Sequence, residues 1–360
     1  MKISILLPYK ENFSPEYPGA VSLFVKDTLE ISAYKKNSIV FGNTYFKKKF
    51  KLPYKNINIS KKFFVSSNKK YVKEFIKLEK KRNSNLIEIH NRPIYMYDLT
   101  KSFKNKVYLL YFHNDPLTMA GSKSISERIF LLKNCHKIIF NSNWSKRRFL
   151  EGMKNDYINS EKLIVIYQSA RKNNVNLKNK KKIITFVGKL NKSKGYDLFG
   201  QSILRILDKY KDWSSVVIGD EPRDKIDFNH ERLKKLGFKN HEYVLNIYKK
   251  SSIAVVCSRW DEPFGRTSLE AASTGCAVVI SNRGGLPETI TNGIILKQLN
   301  VKNIFNEIEQ LIINKKNREK IQKLSLKNFF LTHKFISDQI DSVRGNMDKI
   351  DFEIMRGSTG

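Results

Sequence analysis

Two glutamates, Glu262 and Glu270, stand with seven residues between them in a stretch that reads DEPFGRTSLE (261–270). A strand-like run precedes this stretch, and the residues from about Thr267 onward have helical spacing. Amide groups at a helix start lack intrahelical partners and favour phosphate, and carboxylates accept hydrogen bonds from sugar hydroxyls. The pattern therefore predicts a site for a phosphorylated, polyhydroxylated ligand. A surface acid and a helix-capping acid remain the alternative interpretation.

A second candidate loop, VGKLNKSKG (187–195), follows another strand-like run and leads into a helical one. Lys189 and Lys194 lie five positions apart in this loop, so their two ammonium groups could balance the charge of a diphosphate. Because lysine is abundant throughout the chain, the pair alone is weak support. The motifs GxGxxG and GxxxxGK[ST] do not occur in the sequence, which disfavours dinucleotide oxidoreductases and P-loop NTPases.

Two further loops carry glycines at which a backbone could approach a ligand closely. Gly284 and Gly285 follow the strand-like run CAVVISN (276–282), and Gly19 precedes Ala20 at the start of a helical stretch. Glycine permits such an approach because it has no Cβ atom. Ordinary turn glycines are the alternative interpretation of both loops.

The segments around these loops alternate between strand-like and helical patterns. Apolar runs typical of buried parallel strands are found at residues 2–8, 84–90, 106–113, 136–142 and 162–169, and again at 182–188, 214–220, 252–258, 276–282 and 293–297. Helical spacing is found at 19–36, 68–82, 124–134, 143–153, 195–212 and 267–274, and in a tail from about 301 to 350. Such alternation predicts an α/β fold with two Rossmann-like, doubly wound parallel-sheet domains.

The predicted domains are residues 1–168 and 183–330. Residues 169–182 are polar and are predicted to link them, and residues 331–360 are predicted to form a helical tail that packs back on the N-terminal domain. Two domains are expected because 360 residues exceed what one hydrophobic core usually supports. Since ligands of doubly wound sheets bind at the carboxyl ends of the strands, we expect the ligand to lie in an interdomain cleft.

The chain is strongly basic, with a formal net charge of +33, and its 41% of hydrophobic residues exclude a disordered chain. Its three cysteines lie far apart without a CxxC pair, so the sequence predicts neither a zinc site nor a disulfide framework. No run of about 18 apolar residues occurs, and Pro8 interrupts the N-terminal apolar run. We therefore expect a cytoplasmic protein whose contact with a membrane is at most peripheral.

The order of these motifs resembles that of retaining glycosyltransferases of family 4, which have the GT-B fold. The resemblance covers nearly the whole chain and is strongest over residues 183–290, where EPFG and LEAASTG include the two glutamates. It also draws attention to His113 in YFHNDP, which looks like the family histidine near the reacting sugar. A structural histidine is the alternative interpretation.

The resemblance implies that Glu262 contacts hydroxyls of the donor sugar and Glu270 the ribose, while Lys189 and Lys194 neutralise the diphosphate. The family usually has arginine at the first lysine position, so Lys189 lacks a bidentate fork. The predicted catalytic residues are His113, Glu262, Lys189 and Lys194. The predicted substrate-binding residues are Gly19, Ala20, Gly188, Phe264, Gly265, Arg266, Thr267, Glu270, Gly284 and Gly285. Segment 236–244 resembles the loop that holds the base.

The implied activity is transfer of a sugar, with retained anomeric configuration, from a UDP-type or GDP-type nucleotide sugar to a cell-envelope lipopolysaccharide, polysaccharide or glycolipid. The main catalytic task would be to stabilise the departing diphosphate, so no metal ion or cofactor is expected beyond the nucleotide sugar as co-substrate. A nucleotide-sugar epimerase, a phosphorylase and a basic nucleic-acid-binding protein remain alternatives. Dispersed basic residues without a recognised module disfavour nucleic acid as a partner.

Segment 41–64 mixes lysine with phenylalanine and tyrosine in the half of the chain that is expected to bind the acceptor. Together with the basic amphipathic helix predicted at 68–82, this segment could dock on anionic headgroups at the inner face of the membrane. A solvated loop region is the alternative interpretation.

Overall fold

The computed structural model describes residues 1–59, 66–158 and 160–357, with side chains up to residue 347. The chain divides into two compact units. The first comprises Met1–Ser169 and His333–Gly360, and the second comprises Ala170–Thr332. Each unit has its own parallel sheet, which confirms the predicted α/β fold with two Rossmann-like domains.

The sheet of the first unit has seven parallel strands in the order β3-β2-β1-β4-β5-β6-β7. These strands are β1 Ile3–Leu6, β2 Ser38–Gly42, β3 Tyr54–Asn56, β4 Leu86–His90, β5 Val107–Phe112, β6 Lys137–Phe140 and β7 Leu163–Val165. The helices of this unit are α1 Ala20–Leu29, α2 Ser67–Arg82, α3 Met96–Ser102, α4 Ile125–Asn134, α5 Asn143–Leu150, α6 Asn155–Ile158 and α12 His333–Gly357. The central strands β1, β4 and β5 are buried along their whole length, as their continuous apolar sequences require.

The predicted helix 19–36 is too long. The helix α1 ends at Leu29, a short 3-10 helix covers Lys35–Asn37, and β2 follows at once. The carboxylate of Asp341 in α12 accepts hydrogen bonds from Ser32 Oγ (2.6 Å) and the Ala33 amide (2.8 Å), which fixes the chain outside the helix. This partner lies about three hundred residues away, so no local pattern could have indicated the turn.

The sheet of the second unit has six parallel strands in the order β10-β9-β8-β11-β12-β13. These strands are β8 Lys181–Val187, β9 Ser214–Ile218, β10 Leu233–Lys235, β11 Ser251–Val256, β12 Ala277–Ser281 and β13 Ile294–Leu296. The helices of this unit are α7 Tyr196–Lys209, α8 His241–Lys250, α9 Arg266–Ser273, α10 Val301–Ile313 and α11 Lys315–Lys327. The predicted helical tail from about 301 to 350 is confirmed as α10, α11 and α12, of which the last belongs to the first unit.

One loop prediction is wrong in part. Segment 236–244 was predicted as a loop, but α8 begins at His241. The side chain of Asn240 accepts a hydrogen bond from the Tyr243 amide (2.9 Å) and so caps the helix. Only residues 236–240 remain available as a loop that could hold a base.

The order of strands places the candidate site. In the second unit the chain moves outward from β8 in both directions, so the loops after β8 and β11 leave neighbouring strands at the point where the order reverses. In the first unit the corresponding neighbours are β1 and β4. Doubly wound sheets bind ligands at this point, beyond the carboxyl ends of the strands.

Among the described residues of the predicted basic segment 41–64, Phe41, Phe50 and Tyr54 pack inward. The rings of Phe50 and Tyr54 contact Phe13, with centroid distances of 5.1 and 5.3 Å, whereas Tyr45 is 91% exposed. Residues 60–64 of this segment lie outside the described part of the chain. Among the residues that the structure describes, no helix has the length and apolar character needed to cross a bilayer.

Candidate functional site

The loops after β8 and β11 are bound together through one carbonyl group. The carbonyl oxygen of Ser193 accepts hydrogen bonds from the amides of Arg259 (2.9 Å) and Trp260 (3.1 Å) and from Ser258 Oγ (3.1 Å). The two loops that were proposed as separate motifs therefore form one structure.

Gly195 allows this close approach. Its φ is +73°, and an ideal Cβ atom at this position would lie 1.9 Å from the carbonyl oxygen of Cys257. No other residue fits, because both the backbone conformation and the space exclude a side chain. Gly188 is less crowded, since an ideal Cβ there would meet only Phe186, at 3.9 Å, and its amide donates to the carbonyl of Ile218 (3.0 Å) at the end of β9.

Lys194 and Glu262 meet across these loops. The ammonium group of Lys194 forms an ion pair with Glu262 Oε1, and both side chains remain partly exposed. The Lys194 ammonium also lies 5.4 Å from the ring centroid of Trp260, which is 54% exposed. A cation, an acid and an aromatic face are thus available to a ligand in one place.

Lys189 lies on the other side of the same loop. The hydrogen bonds from Arg223 hold the pKa of Glu221 at about 2, and the charge of Lys189 makes a smaller contribution in the same direction. Arg223 forms a forked pair with Glu221, with distances of 2.6 and 2.8 Å. The structure therefore does not pair Lys189 with the two predicted acids of the motif, although it places this lysine in the loop that carries Lys194.

The helix α9 begins at Arg266, one residue before the predicted start. Its N-cap is Gly265, with a φ of +117°, and an ideal Cβ there would lie 2.4 Å from Leu286. The N-cap makes no side-chain hydrogen bond to this helix start, and amides at a helix start favour phosphate. The side chain of Phe264 is only 1% exposed and belongs to the core.

Glu270 is held from two sides inside the second unit. Its Oε1 atom accepts from Arg266 Nε (2.6 Å) and lies 2.8 Å from His241 Nε2. Burial raises the pKa of Glu270, but the charge of Arg266 and the hydrogen bond from His241 outweigh burial and leave the pKa below its usual value. The carboxylate is therefore ionised and fixed in direction.

The backbone at Gly284 and Gly285 lies close to another part of the protein, the backbone of Glu262. The Gly285 amide donates to the carbonyl of Glu262 (2.6 Å), and an ideal Cβ on Gly284 would lie 2.2 Å from that same oxygen. The segment that contains these glycines thus orients the backbone of Glu262, and at Leu286 it packs on Gly265. A direct ligand contact by the glycines stays a prediction.

In the first unit, the predicted Gly19 loop is already occupied by an acid. Glu11 Oε1 accepts a hydrogen bond from the Ser22 amide (2.9 Å), and an ideal Cβ on Gly19 would lie 1.9 Å from it. Burial raises the pKa of Glu11. The side chain of Glu11 therefore already occupies the N-terminus of α1, which begins at Ala20.

His113 directly follows β5 and is buried, with 7% of its surface exposed. Its amide donates to Asn91 Oδ1 (3.1 Å), and its carbonyl accepts from Asn141 Nδ2 (2.9 Å). Its ring Nε2 lies 3.0 Å from His90 Nδ1, and the ring of Phe24 from α1 packs against it at 5.1 Å. Burial, together with His90, holds the pKa of His113 well below its usual value, so the imidazole is neutral.

The structure thus brings most predicted residues together in the second unit and places Gly19, Ala20 and His113 in the first. Sequence reasoning missed His241, Trp260, Glu11 and His90 as members of these sites. His90 closes β4 just as His113 closes β5, and this parallel was a usable signal. In the described part of the chain, no three His, Cys, Asp or Glu side chains are grouped to hold a metal ion.

Comparison with known proteins agrees with this arrangement. Residues 168–327 match the model of a family described as glycosyl transferases group 1. Spore coat protein SA of Bacillus subtilis is 32% identical over 162 residues, which are 40% of this chain and 43% of that protein. The lipopolysaccharide core biosynthesis mannosyltransferase LpsB of Rhizobium meliloti is 32% identical over 123 residues, which are 31% of this chain and 35% of that protein.

Similarity of fold extends much further than these alignments. The crystal structure of Anabaena Alr3699/HepE in complex with UDP has a TM-score of 0.76 to this protein, with 17% sequence identity, and covers 96% of this chain and 100% of that chain. The alignments with the two curated relatives span less than half the length of each. Two parallel sheets and the fold shared with HepE show that the chain has the GT-B fold, and its residues 168–327 match the glycosyl transferases group 1 family.

Proposed function

We propose that this protein transfers a glycosyl unit, with retained anomeric configuration as in family 4, from a nucleoside diphosphate sugar to a cell-envelope acceptor. The ion pair between Lys194 and Glu262, in the loops that precede α7 and α9, carries this proposal. Both groups stay partly exposed, so a ligand can reach them without unfolding the loops.

The two ends of the motif suit the two ends of a nucleotide sugar. Glu262 would accept hydroxyls of the donor sugar, and Glu270, which is ionised and fixed by its partners, would accept hydroxyls of the ribose. Between them, the amides of Arg266 and Thr267 and the ammonium of Lys194 would bind the diphosphate, assisted by Lys189. Each group has the charge that its proposed ligand atom requires.

The same groups would supply catalysis. Negative charge develops on the diphosphate as the bond to the sugar breaks, and fixed amides and ammonium groups stabilise that charge without reorganisation. In the absence of donor, Lys194 neutralises Glu262. On donor binding, the lysine would turn toward the phosphate while the acid accepts sugar hydroxyls, so the ion pair preserves both groups in position for the reaction.

UDP is the nucleotide we favour for the donor, because HepE, which shares the fold, was crystallised with UDP. The relationship to LpsB, a lipopolysaccharide core mannosyltransferase, favours a lipopolysaccharide or related envelope glycan as the acceptor class. The lysines near Tyr45 in the first unit would contribute peripheral contact with an anionic membrane surface that carries such an acceptor.

A thermal-shift experiment tests the proposal. UDP, GDP and their sugar derivatives are added to the full chain, and a ligand at 100 times its dissociation constant adds about 2.7 kcal/mol of apparent stability. Lys194→Met should weaken UDP binding about tenfold or more, since it removes a charge-assisted contact. Lys192→Met, a change of an exposed lysine in the same loop, is the matched control. If no nucleotide raises the melting temperature, or if both variants bind equally well, the proposed site is wrong.

A further inference from the structure

Four buried side chains of the first unit form a continuous series that ends at His113. Arg344 in α12 donates to both oxygens of Glu88 in β4, from Nε to Oε1 (2.7 Å) and from Nη2 to Oε2 (2.9 Å). Glu88 Oε2 lies 3.8 Å from His90 Nε2. His90 Nδ1 lies 3.0 Å from His113 Nε2.

The carboxylate of Glu88 is a fixed negative charge. The side chains of Arg344 and Glu88 are 4% and 1% exposed, so solvent screens their attraction weakly. Burial alone would raise the pKa of Glu88, but Arg344 and His90 hold it at about 2. Arg344 is itself held by Asp341 (3.1 Å) and Ser32 Oγ (3.0 Å), which leaves the guanidinium one orientation.

Both histidines are neutral, because burial lowers the pKa of each. A neutral imidazole carries one N–H donor and one acceptor nitrogen. The short contact between His90 Nδ1 and His113 Nε2 therefore has one donor and one acceptor, and the choice between them determines which nitrogen of His113 remains as an acceptor.

The carboxylate of Glu88 determines which nitrogen of His90 carries the proton. His90 Nε2 faces the carboxylate, and an N–H at this nitrogen is favoured by the negative charge, whereas a lone pair is repelled. His90 Nε2 and Tyr111 Oη have no hydrogen-bond partner among the described residues. Both line a small cavity together with Glu88 and Arg344, with room for about one water molecule to bridge them. A proton on His90 Nε2 leaves Nδ1 as the acceptor, so His113 Nε2 must be the donor.

We propose that Arg344, Glu88 and His90 are positioning residues that hold His113 as the tautomer with its proton on Nε2, so that Nδ1 accepts a hydrogen bond from a substrate sugar hydroxyl. His113 Nδ1 is buried and has no partner in the described part of the chain, which is what an acceptor reserved for a substrate requires. Stacking of His90 on Tyr111 (4.4 Å) keeps the two rings in register. The role of His113 toward a sugar rests on the proposed function, but its tautomer does not.

The tautomer can be read directly by NMR on the full chain with 15N-labelled histidine, since protonated and unprotonated ring nitrogens resonate far apart. The chain has six histidines, and His113→Gln identifies the relevant signals. We expect the native protein to show His113 with a protonated Nε2 and an unprotonated Nδ1 near neutral pH. A protonated Nδ1 in the native protein would overturn the proposal without any variant.

The double variant Glu88→Met/Arg344→Met tests the cause. It replaces a buried ion pair with apolar side chains of similar size, a change that proteins often tolerate, and Asp341 keeps its bonds to Ser32 and Ala33. His113 should then populate both tautomers. Glu79→Gln, which changes another fully buried carboxylate of this unit, should leave the His113 signals unchanged. If the double variant does not fold, His90→Phe removes the acceptor of His113 and should produce the same mixture.

Kinetics separate positioning from a purely structural effect. In the folded double variant kcat should fall about tenfold, the equivalent of one hydrogen bond, while the KM for the donor changes little. Arg344→Lys keeps the charge next to Glu88 and should retain the native tautomer. A folded double variant with an unchanged tautomer or unchanged kcat contradicts the proposal. Failure of nucleotide sugars to bind would instead contradict the proposed function and leave the tautomer result standing.

Discussion

Arg259 binds both carboxylate oxygens of Asp197, from Nη1 to Oδ1 at 2.6 Å and from Nη2 to Oδ2 at 2.7 Å. The two residues belong to the segments that follow β11 and β8, so this pair fastens the loop that carries Glu262 to the helix that follows Lys194. Both side chains are partly exposed. The value of the pair for stability is accordingly modest, and its main effect is on geometry.

We therefore expect Arg259→Met to weaken UDP binding about tenfold while lowering the free energy of unfolding by about 1 kcal/mol or less. Isothermal titration with UDP and chemical denaturation measure the two quantities. Lys182→Met removes an exposed ion pair with Asp212 in the same unit and serves as the control. Equal affinities of the two variants would show that the fork does not organise the site.

Gly195 offers a sharper test of the loop structure. Gly195→Ala places a methyl group where Cys257 O would be only 1.9 Å away, at a φ of +73°. We expect the two loops to separate, the free energy of unfolding to fall by about 3 kcal/mol or more, and UDP to give no detectable thermal shift.

Gly237 provides the matched control for that substitution. It also has a positive φ, of +65°, but an added Cβ would meet nothing within 4 Å. Gly237→Ala should lower the free energy of unfolding by only about 1 to 2 kcal/mol, the cost of holding alanine at a positive φ. If both variants lose the same stability and the same binding, the contact with Cys257 has no special role.

Local patterns were sufficient for most strands that are built from continuous apolar sequence, although the buried strand β2 was missed. The runs that became β1, β4, β5 and β11 were predicted because each is buried along its whole length, and β8 was predicted from the apolar run around its buried residues 184–186. The edge strands β3 and β10, with three residues each, were missed because short exposed strands have little apolar signal. Spacing and resemblance likewise indicated Lys194 and Glu262, which the fold joins in an ion pair.

Partners from distant parts of the chain could not be predicted in this way. Arg344 lies 256 positions from Glu88, and nothing near either residue indicates the other. The same holds for His241, whose segment was interpreted as a loop although α8 carries its ring to Glu270. Such pairs depend on how helices pack on the sheet, and a single sequence contains no local pattern for that packing.

The buried histidines and Glu88 predict how stability depends on pH. Burial lowers the folded-state pKa values of His90 and His113, so the unfolded chain takes up protons first as pH falls below about 6.5, and stability is lost there. Glu88 has a folded-state pKa of about 2 against an ordinary 4.5, so its contribution, on the order of 3 kcal/mol, is present above about pH 4.5 and is lost as pH falls toward 2. Urea denaturation at pH 7.5, 5.5, 4 and 2.5 measures both losses.

The double variant Glu88→Met/Arg344→Met separates the two contributions. It should keep the loss of stability below about pH 6.5, which comes from the histidines, and should abolish the part that develops below about pH 4.5. A native profile that is flat from pH 7.5 to 2.5 would contradict both assignments.

Removing the charge of Glu262 and removing the charge of Glu270 should change ligand affinity in different ways. Glu270 is proposed to contact the ribose, so Glu270→Gln should weaken UDP and UDP-sugar alike, by about tenfold. Glu262 is proposed to contact the sugar alone, so Glu262→Gln should leave UDP affinity nearly unchanged or improved, because Lys194 is then free to turn to the phosphate. It should nevertheless weaken the UDP-sugar relative to UDP and reduce kcat by about 100-fold. Titration of both variants with pyrophosphate, UDP and the UDP-sugar gives the comparison, and pyrophosphate should not distinguish Glu270→Gln from the native protein. If the two variants lose UDP affinity to the same extent, the acids do not bind opposite ends of the donor.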